Sequence, residues 1–526
     1  MNRHRSPVRT GILIAALAAA GLVGAAQPPA AAAGVESVIV QGASGAQAAA
    51  AVRAFGGTVR NNLGIVGGVA AAVPAASVAV LQAQGFSVAE DGEARLAAES
   101  FAPAAADVQL AALDPGPAWD TEAGAGVGVA LIDTGVADVA DLAARLVQGP
   151  DFSGENDGID RYGHGTFMAG LIAGDGSAGL AAGEAVRHTG VAPGARLISV
   201  KVAGRDGTTS LSRILAALDW VVSHAQEYRI RVVSLSFGVD APSGRAVDPL
   251  SAAVEYAWAS GITVVASSGN SGSGVVTSPG RDPWVITAGA SDTHGTASTA
   301  DDTVPSWSGW QRRGPFTKPD VVAPGVSVIS LRAPGSLVDE QNPTARVGEH
   351  YFRGSGTSMA TALTAGAAAV LTSHHPDAVP DDVKGALVAS SEPIAGSPGG
   401  AVDLAAADQA HSDSSWWQEH PLAGDGAGRP ERMPWTETAG WDSARWYSAR
   451  WYAGNWDSAR WYSARWYADN WDSARWYSAR RYSARWYSAR WYSARWYSAR
   501  WYADGWDSAR WYSDGWASAG WSGTQP

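Results

Sequence analysis

The sequence predicts an α/β protein in which a mainly parallel sheet is flanked by helices and preceded by a small α+β unit. The middle of the chain alternates short apolar runs with longer helical stretches. That alternation is typical of a parallel sheet covered on both faces. The apolar runs, which we predict to be strands, are 127–132, 196–202, 231–236, 263–266 and 284–288. The predicted helices are 211–225, 249–258 and 359–371.

Length and composition limit the classes of protein that fit. The chain has 526 residues, enough for two or three domains with a large core. Apolar residues make up 46% of it, so most of the chain should be globular. Cys is absent, which excludes disulfides and thiolate metal sites. A net charge of −12 argues against a nucleic-acid partner for the protein as a whole.

Residues 1–33 have the pattern of a secretory signal peptide. Three Arg residues within 1–10 precede an apolar run of small residues at 11–26, and 27–33 is rich in Pro and Ala. The apolar run is short for a membrane span, although a single N-terminal anchor is the alternative interpretation. We therefore expect export of the chain and removal of this segment.

Residues 34–112 are predicted to form the small α+β unit. Its Ala-rich end, 98–113, is irregular and is the expected processing region. A linker domain is the alternative interpretation of the unit. The predicted elements are strands at 35–41, 63–74 and 86–90 and helices at 46–55 and 76–84.

Three short motifs place a Ser, an Asp and a His at strand–helix junctions. Ser358 lies where a Gly-rich turn enters an Ala-rich helix, so backbone N–H groups would point toward whatever bonds to its hydroxyl. Asp133 ends an apolar run at the carboxyl edge of the predicted sheet, and His164 lies between Gly residues at a helix start. Singly, each could be a cap or turn residue. Together they indicate nucleophilic catalysis.

The three motifs resemble those of the subtilisin-like serine proteases, the peptidase S8 family. The resemblance covers roughly 113–403. It rests on D-T-G at Asp133, G-H-G-T at His164 and G-T-S-M-A at Ser358, in the chain order of that family. Supporting motifs, such as S-S-G-N ending at Asn270, follow in the expected order.

The resemblance implies the subtilisin-like three-layer fold over a catalytic domain at 113–405. It also implies a secreted serine endopeptidase that is made as a zymogen and acts on protein or peptide substrates. Residues 34–112 would be its inhibitor-like propeptide, whose last residues lie in the cleft as a bound peptide. A wall- or glycan-binding protein with a degenerate protease scaffold is the second hypothesis. The intact triad and Asn270 argue against it.

Roles for the site residues follow from the same resemblance. Ser358 Oγ would attack the scissile carbonyl, His164 would transfer its proton, and Asp133 would hold the imidazole. Asn270 resembles the side-chain oxyanion donor of the family, with a turn Asn as the alternative. Substrate would add as a strand between two short segments, with a pocket for the residue before the cut. The residues implied in substrate binding are Thr208, Thr209, Ser210, Ser236, Phe237, Gly238, Ser268 and Gly269.

The substrate segments contain no acid that would select a basic side chain, so an apolar preference before the cut is expected. Phe167 stands where the family often has a second His, and Ala362 stands where Pro is usual after the nucleophile.

No cofactor is expected to be required. Family members often bind Ca²⁺, but no spacing here specifies a site. The acids in loops are Asp157, Asp160, Asp301 and Asp302.

The C-terminal part changes composition twice. Residues 406–440 are rich in Gly, Pro, Ser and acids and are predicted to be a linker. Residues 441–526 form a five-residue repeat, in which 16 of the 17 repeat positions from 441 to 521 hold Trp. This tail has 12 Arg and 7 Asp with no Lys or Glu, a charge of +5, whereas the rest of the chain carries −17.

A period of five fits neither a regular helix nor a regular strand. A solenoid with five-residue sides would align every Trp, although the tail shares only its period with pentapeptide repeats. A largely disordered low-complexity segment is one interpretation. Binding of a glycan or an anionic cell-wall polymer by the aromatic rings and Arg is another, and docking onto the acidic body is a third.

Overall fold

The computed structural model describes residues 34–96, 108–116, 119–183, 188–239, 248–272, 274–313 and 316–410. It also describes the backbone of 444–447, 450–462, 465–477 and 508–509. The predicted signal peptide, nearly all of the predicted linker and part of the processing region lie outside these residues.

The N-terminal unit is an antiparallel sheet with two helices. Its strands are β1 (Val35–Gln41), β2 (Thr58–Leu63), β3 (Gly68–Pro74) and β4 (Ser87–Glu90), in the order β2-β3-β1-β4, and its helices are α1 (Gly45–Ala54) and α2 (Ala75–Ala83). Strand β3 lies within the predicted strand region 63–74, whereas β2 ends at Leu63. A short 3-10 turn at Gly64–Val66 reverses the chain, ending at Gly67 with a φ of 58° that favours Gly.

The central unit contains the predicted alternation of strands and helices. Strand β5 (Glu93–Leu96), at the end of the N-terminal unit, pairs with two of its strands. The strands of the central unit are β6 (Gly128–Asp133), β7 (Leu146–Asp151), β8 (Arg196–Lys201), β9 (Thr208–Ser210), β10 (Ile230–Leu235), β11 (Phe237–Gly238), β12 (Thr263–Ser267), β13 (Ile286–Ser291), β14 (Gln311–Arg313), β15 (Phe316–Lys318), β16 (Val321–Pro324), β17 (Val328–Leu331), β18 (Arg346–Val347), β19 (Tyr351–Gly354) and β20 (Gly400–Ala401). Its helices are α3 (His164–Ala173), α4 (Ser177–Ala182), α5 (Leu211–Tyr228), α6 (Pro249–Ala259), α7 (Leu337–Gln341), α8 (Thr357–His374), α9 (Pro380–Ser390) and α10 (Leu404–Gln409).

Eight strands form one sheet in the order β20-β16-β13-β12-β10-β6-β8-β7, and every neighbouring pair is parallel. The predicted fold class is therefore confirmed. Strands β6, β12 and β13 are buried along their whole length, as continuous apolar runs require. Strand β7 was not predicted because its sequence, LVQGPD, has no such run.

Helix α8 passes through the interior of the protein. It packs on α3 and on five strands of the central sheet, and all its residues from Thr357 to Thr372 are buried. Ala, Gly and Thr dominate its sequence, so other elements can approach its backbone closely from every side. Ala362 lies inside this continuous helix, so the missing Pro leaves the helix intact. Helices α5 and α6 pack on each other and on the sheet.

The described parts of the tail pair as parallel strands. They are β21 (Ala444–Tyr447), β22 (Arg450–Tyr462), β23 (Arg465–Tyr477) and β24 (Ser508–Ala509). Between β22 and β23 the register joins residues 15 positions apart, so Trp451 lies opposite Trp466. The spacing of 15 residues equals three pentads, so the register aligns equivalent positions of the repeat. No helix in the described part of the chain is long and apolar enough to cross a membrane.

Candidate active site

The carboxyl end of β6 and the start of α3 bring Asp133 and His164 into contact. His164 Nδ1 lies 2.8 Å from Asp133 Oδ1 and 2.9 Å from Oδ2. Both side chains are buried. The backbone N–H of Thr134 also donates to Oδ1, at 2.8 Å. Because a carboxylate accepts, the network assigns the proton to Nδ1 and leaves Nε2 with a lone pair. His164 is thereby set up to act as a base.

Ser358 is the second residue of α8, near the N–H groups of its first turn. Its Oγ is buried, as is His164 Nε2, and neither atom has a hydrogen-bond partner among the described residues. Helices α3 and α8 pack together, and His164 lines one pocket with Met359, the neighbour of Ser358. Catalytic hydrogen bonds are often long without substrate, so this geometry suits a nucleophile and its base.

Asn270 follows β12 and contacts the residue before Ser358. Its Oδ1 accepts hydrogen bonds from Thr357 N at 3.1 Å and Thr357 Oγ1 at 2.9 Å. A backbone N–H can only donate, so the oxygen of the amide must face Thr357. The NH₂ group therefore projects from the other side of the amide. This is the orientation that an oxyanion donor needs.

Asp160, on the loop before α3, joins the Asp133 segment to the His164 segment. Its Oδ1 accepts from Thr134 Oγ1 at 2.8 Å and from Gly163 N at 2.7 Å. Its Oδ2 accepts from Thr166 N at 2.8 Å and from Thr166 Oγ1 at 2.6 Å. Sequence reasoning missed this role, because an Asp four residues before a His carries no signal of such a network.

Two of the loop acids do not fit a calcium site. Asp160 is surrounded by hydrogen-bond donors, and Asp157 Oδ2 pairs with Arg161 at 2.5 Å. Calcium requires six to eight oxygen ligands, and four donors already occupy the lone pairs of the Asp160 carboxylate. In the described part of the chain, no three His, Asp or Glu side chains are grouped so that they could hold a metal ion.

Strand β5, at the end of the N-terminal unit, lies between the two segments expected to bind substrate. It pairs antiparallel with β9, with Ala94 opposite Thr209 and Arg95 opposite Thr208. It also pairs antiparallel with β11, with Leu96 opposite Phe237. Ala94 is fully buried. Four residues of the protein itself therefore occupy the position in which a bound peptide strand would pair with these two segments.

The other residues expected to bind substrate lie around the position that β5 occupies. Ser210 and Gly238 end β9 and β11 and take part in the pairing with β5. Ser236 follows β10, and Ser268 and Gly269 follow β12, at the same edge of the sheet as Asp133. The Oγ atoms of Ser236 and Ser268 are buried and have no hydrogen-bond partner among the described residues.

The N-terminal unit also contacts helix α5 directly. Asp91 accepts hydrogen bonds from Ser212 N and Ser212 Oγ, each at 2.8 Å, and the carbonyl of Gly92 accepts from Leu211 N at 3.0 Å. These bonds cap the start of α5, where backbone N–H groups lack helical partners. Further along α5, burial raises the pKa of Asp219, whose carboxyl accepts the Ile65 N–H.

An acid–histidine pair beside a helix-start serine, in a parallel α/β fold, defines the serine hydrolase class of site. Residues 124–416, more than half of the chain, match the profile of Peptidase S8, the subtilase family. The chain therefore belongs to the subtilase family of serine endopeptidases.

Individual relatives agree with that assignment. The chain is 42% identical over 276 residues to serine protease AprX of Bacillus subtilis (strain 168), a match covering 50% of this chain and 61% of AprX. It is 36% identical over 254 residues to Subtilisin Savinase of Lederbergia lenta, covering 48% of this chain and 78% of Savinase. The crystal structure of fervidolysin from Fervidobacterium pennivorans has the same fold, with a TM-score of 0.57, 21% identity, and coverage of 72% of this chain and 62% of fervidolysin.

Proposed function

We propose that this protein is a secreted serine endopeptidase that is made as a zymogen. The observation that carries the proposal is the position of strand β5, which is paired between β9 and β11 as an extended peptide. Its carboxyl end runs toward Ser236 and the end of β6. A site that holds an extended peptide beside an acid–histidine pair and a helix-start serine suits hydrolysis of peptide bonds.

In the proposed reaction, Ser358 Oγ attacks the scissile carbonyl while His164 Nε2 accepts its proton. His164 then gives the proton to the leaving amine, and Asp133 holds the imidazole tautomer through Nδ1 and stabilises the imidazolium. The developing oxyanion accepts hydrogen bonds from Ser358 N–H and the Asn270 amide. Loss of one such donor costs about 10²–10³ in kcat, a figure taken from subtilisin itself.

The substitution Ser358→Ala tests this mechanism. It should abolish peptidase activity and self-processing while the chain still folds, because only the nucleophile is lost. Ser373→Ala is the matched control, since Ser373 lies in the same helix and its hydroxyl bonds Val370 O at 2.7 Å. Casein hydrolysis and circular dichroism give the two readouts. Full hydrolysis by Ser358→Ala would rule out the proposed mechanism.

The zymogen part of the proposal assigns residues 35–96 as an inhibitor of the catalytic unit. Its own apolar core, its cap on α5 and its strand in the cleft support this role. Added to the mature enzyme, this segment should block turnover of a peptide substrate. No inhibition at high micromolar concentration would contradict the assignment. N-terminal sequencing of the secreted protein would locate both the signal and the propeptide cuts.

We also propose that the tail retains the enzyme on a cell wall or an anionic glycan. Its regular Trp and its +5 charge, opposite in sign to the rest of the chain, support an anionic partner. Deleting residues after Thr438 should leave turnover of soluble peptides within a few-fold. The same deletion should lower pull-down by isolated cell walls, most clearly at low ionic strength. Equal retention of both forms would exclude anchoring by the tail.

A further inference from the structure

A buried lysine beside the catalytic segments has no part in the proposed mechanism. Lys201 ends β8, and its side chain is only 1% exposed. Its ammonium group donates to Glu155 Oε2 at 2.6 Å and to Ile159 O at 2.5 Å, and it lies 3.5 Å from Asp157 Oδ1. A buried charge is tolerated only when it is paired and hydrogen-bonded. Lys201 therefore fixes the loop between β7 and α3, which contains all three of these partners.

The second oxygen of Glu155 contacts the turn that leads into β9. Glu155 Oε1 accepts a hydrogen bond from Arg205 N at 3.0 Å. A Cβ at Gly204 would lie 3.1 Å from the same oxygen, so the carboxylate lies directly against the backbone of the turn. Gly207 N donates to Gly204 O at 3.0 Å and closes this four-residue turn just before β9. One carboxylate thus joins the loop before α3 to the turn before β9.

The ring of Tyr162 makes a second contact between the same two segments. A Cβ at Gly207 would lie 2.7 Å from Tyr162 Cε2, so the ring packs on the backbone of Gly207. Tyr162 precedes His164 by two residues, and Gly207 immediately precedes Thr208, the first residue of β9. The positions of β9 and His164 are therefore linked at two points, one polar at Glu155 and one apolar at Tyr162.

The support beneath Glu155 belongs to the central sheet. The backbone of Lys201 lies opposite Asp133 in the pairing of β8 with β6. Val202 N donates to Asp133 O at 2.8 Å, and Phe152 N donates to Lys201 O at 2.7 Å. The ammonium that holds Glu155 thus extends from a strand that is hydrogen-bonded on both sides. Such a rigid support is what a residue needs in order to position others.

We propose that Glu155 is a positioning residue that couples the pairing of substrate with β9 to the placement of His164. The proposal rests on the proposed peptidase function. A peptide that pairs with β9 orders this strand and the turn before it, and the contacts of Glu155 and Tyr162 extend that order to the loop before α3. Binding energy from a remote part of the substrate can then raise kcat as well as lower KM. We therefore expect kcat to rise when a substrate is extended across β9.

Two p-nitroanilides of different length separate this coupling from the chemical step. Strand β5 shows the length that is needed, because Ala94 and Arg95 pair with β9, whereas Leu96 lies one residue beyond that pairing and opposite Phe237 of β11. Acetyl-Ala-Arg-Leu-Phe-p-nitroanilide should therefore reach β9, and acetyl-Leu-Phe-p-nitroanilide should not. For each variant, the ratio of the two kcat values measures the gain on extension.

Arg205→Pro removes the N–H group that donates to Glu155 and keeps the turn. Arg205 is the second residue of the turn, a position where Pro is favoured. The gain in kcat on extension should fall about tenfold, the effect of one hydrogen bond to a charged group. The kcat for the short anilide should stay within about twofold of wild type. Arg205→Ala is the matched control, since it removes the same side chain, which pairs with Glu340 at 2.8 Å, but keeps the N–H group. It should retain the wild-type gain.

Gly204→Ala is a second variant, because its Cβ would press on Glu155 Oε1. It should also lower the gain on extension, and it decides the question if Arg205→Pro is not secreted. A wild-type enzyme without a gain in kcat on extension, or an unchanged gain in both variants, would overturn the proposal. An equal loss of kcat for the two anilides would overturn it too, because that result indicates a purely structural role. Absence of p-nitroaniline release from either anilide by the wild type would instead count against the peptidase function.

Discussion

Replacing Asp160 by Asn should uncouple the Asp133 segment from the His164 segment. The amide keeps one acceptor oxygen and turns an NH₂ group toward two of the four donors. The Thr hydroxyls can rotate to accept from that group, but the Gly163 and Thr166 N–H groups can only donate. One of these two backbone donors therefore loses its acceptor in a buried site, whichever way the amide lies.

The magnitude follows from those contacts. A buried donor left without an acceptor costs about 1–3 kcal/mol, and each hydrogen bond to a charged group contributes about 1.5–3 kcal/mol. We expect the free energy of unfolding to fall by about 3 kcal/mol. Because the imidazole loses its fixed position relative to Asp133, kcat should fall by about tenfold to a hundredfold while KM changes little.

Unfolding in urea, measured in a Ser358→Ala background, gives the free energy of unfolding without self-digestion. Turnover of a peptide p-nitroanilide by the active form of each variant gives kcat and KM. Asp138→Asn is the matched control, the same substitution at an exposed site on the loop after Asp133. A change below about 0.5 kcal/mol in Asp160→Asn, together with kcat within twofold of wild type, would refute the coupling.

Three further outcomes are expected. Thr357→Val removes the hydroxyl that donates to the Asn270 amide oxygen and should lower kcat about tenfold at constant KM, measured with a peptide p-nitroanilide. Asp91→Ala removes a helix cap worth about 1 kcal/mol, so inhibition by residues 35–96 should weaken about fivefold in a titration of the mature enzyme. Burial raises the pKa of Glu255 and of Asp282, and the charge of Asp282 raises the pKa of Glu255 further. The free energy of unfolding should therefore fall as pH rises through the raised values, and Glu255→Gln should reduce that loss in urea titrations.

Much of the architecture could be predicted because the signals are local. Continuous apolar runs identified β6, β10 and β12, and Gly residues close to Asp133, His164 and Ser358 identified the junctions that bear them. Boundaries were less certain, since α8 begins and ends beyond the predicted 359–371. Strand β7 lacked an apolar run, and only its pairing with β8 makes it a strand.

The sequence by itself determined the fold class and the motifs of the site, because buried parallel strands and helix-start turns require particular residues in short stretches. Only the tertiary structure decided that Glu93–Leu96 is the segment that pairs with β9 and β11, and that Asp160 joins two catalytic segments. Each of these depends on contacts between residues that are not neighbours in an apolar pattern. An acid in a loop has the same local sequence whether it faces water or four buried donors, so its partners emerge only when the chain is folded.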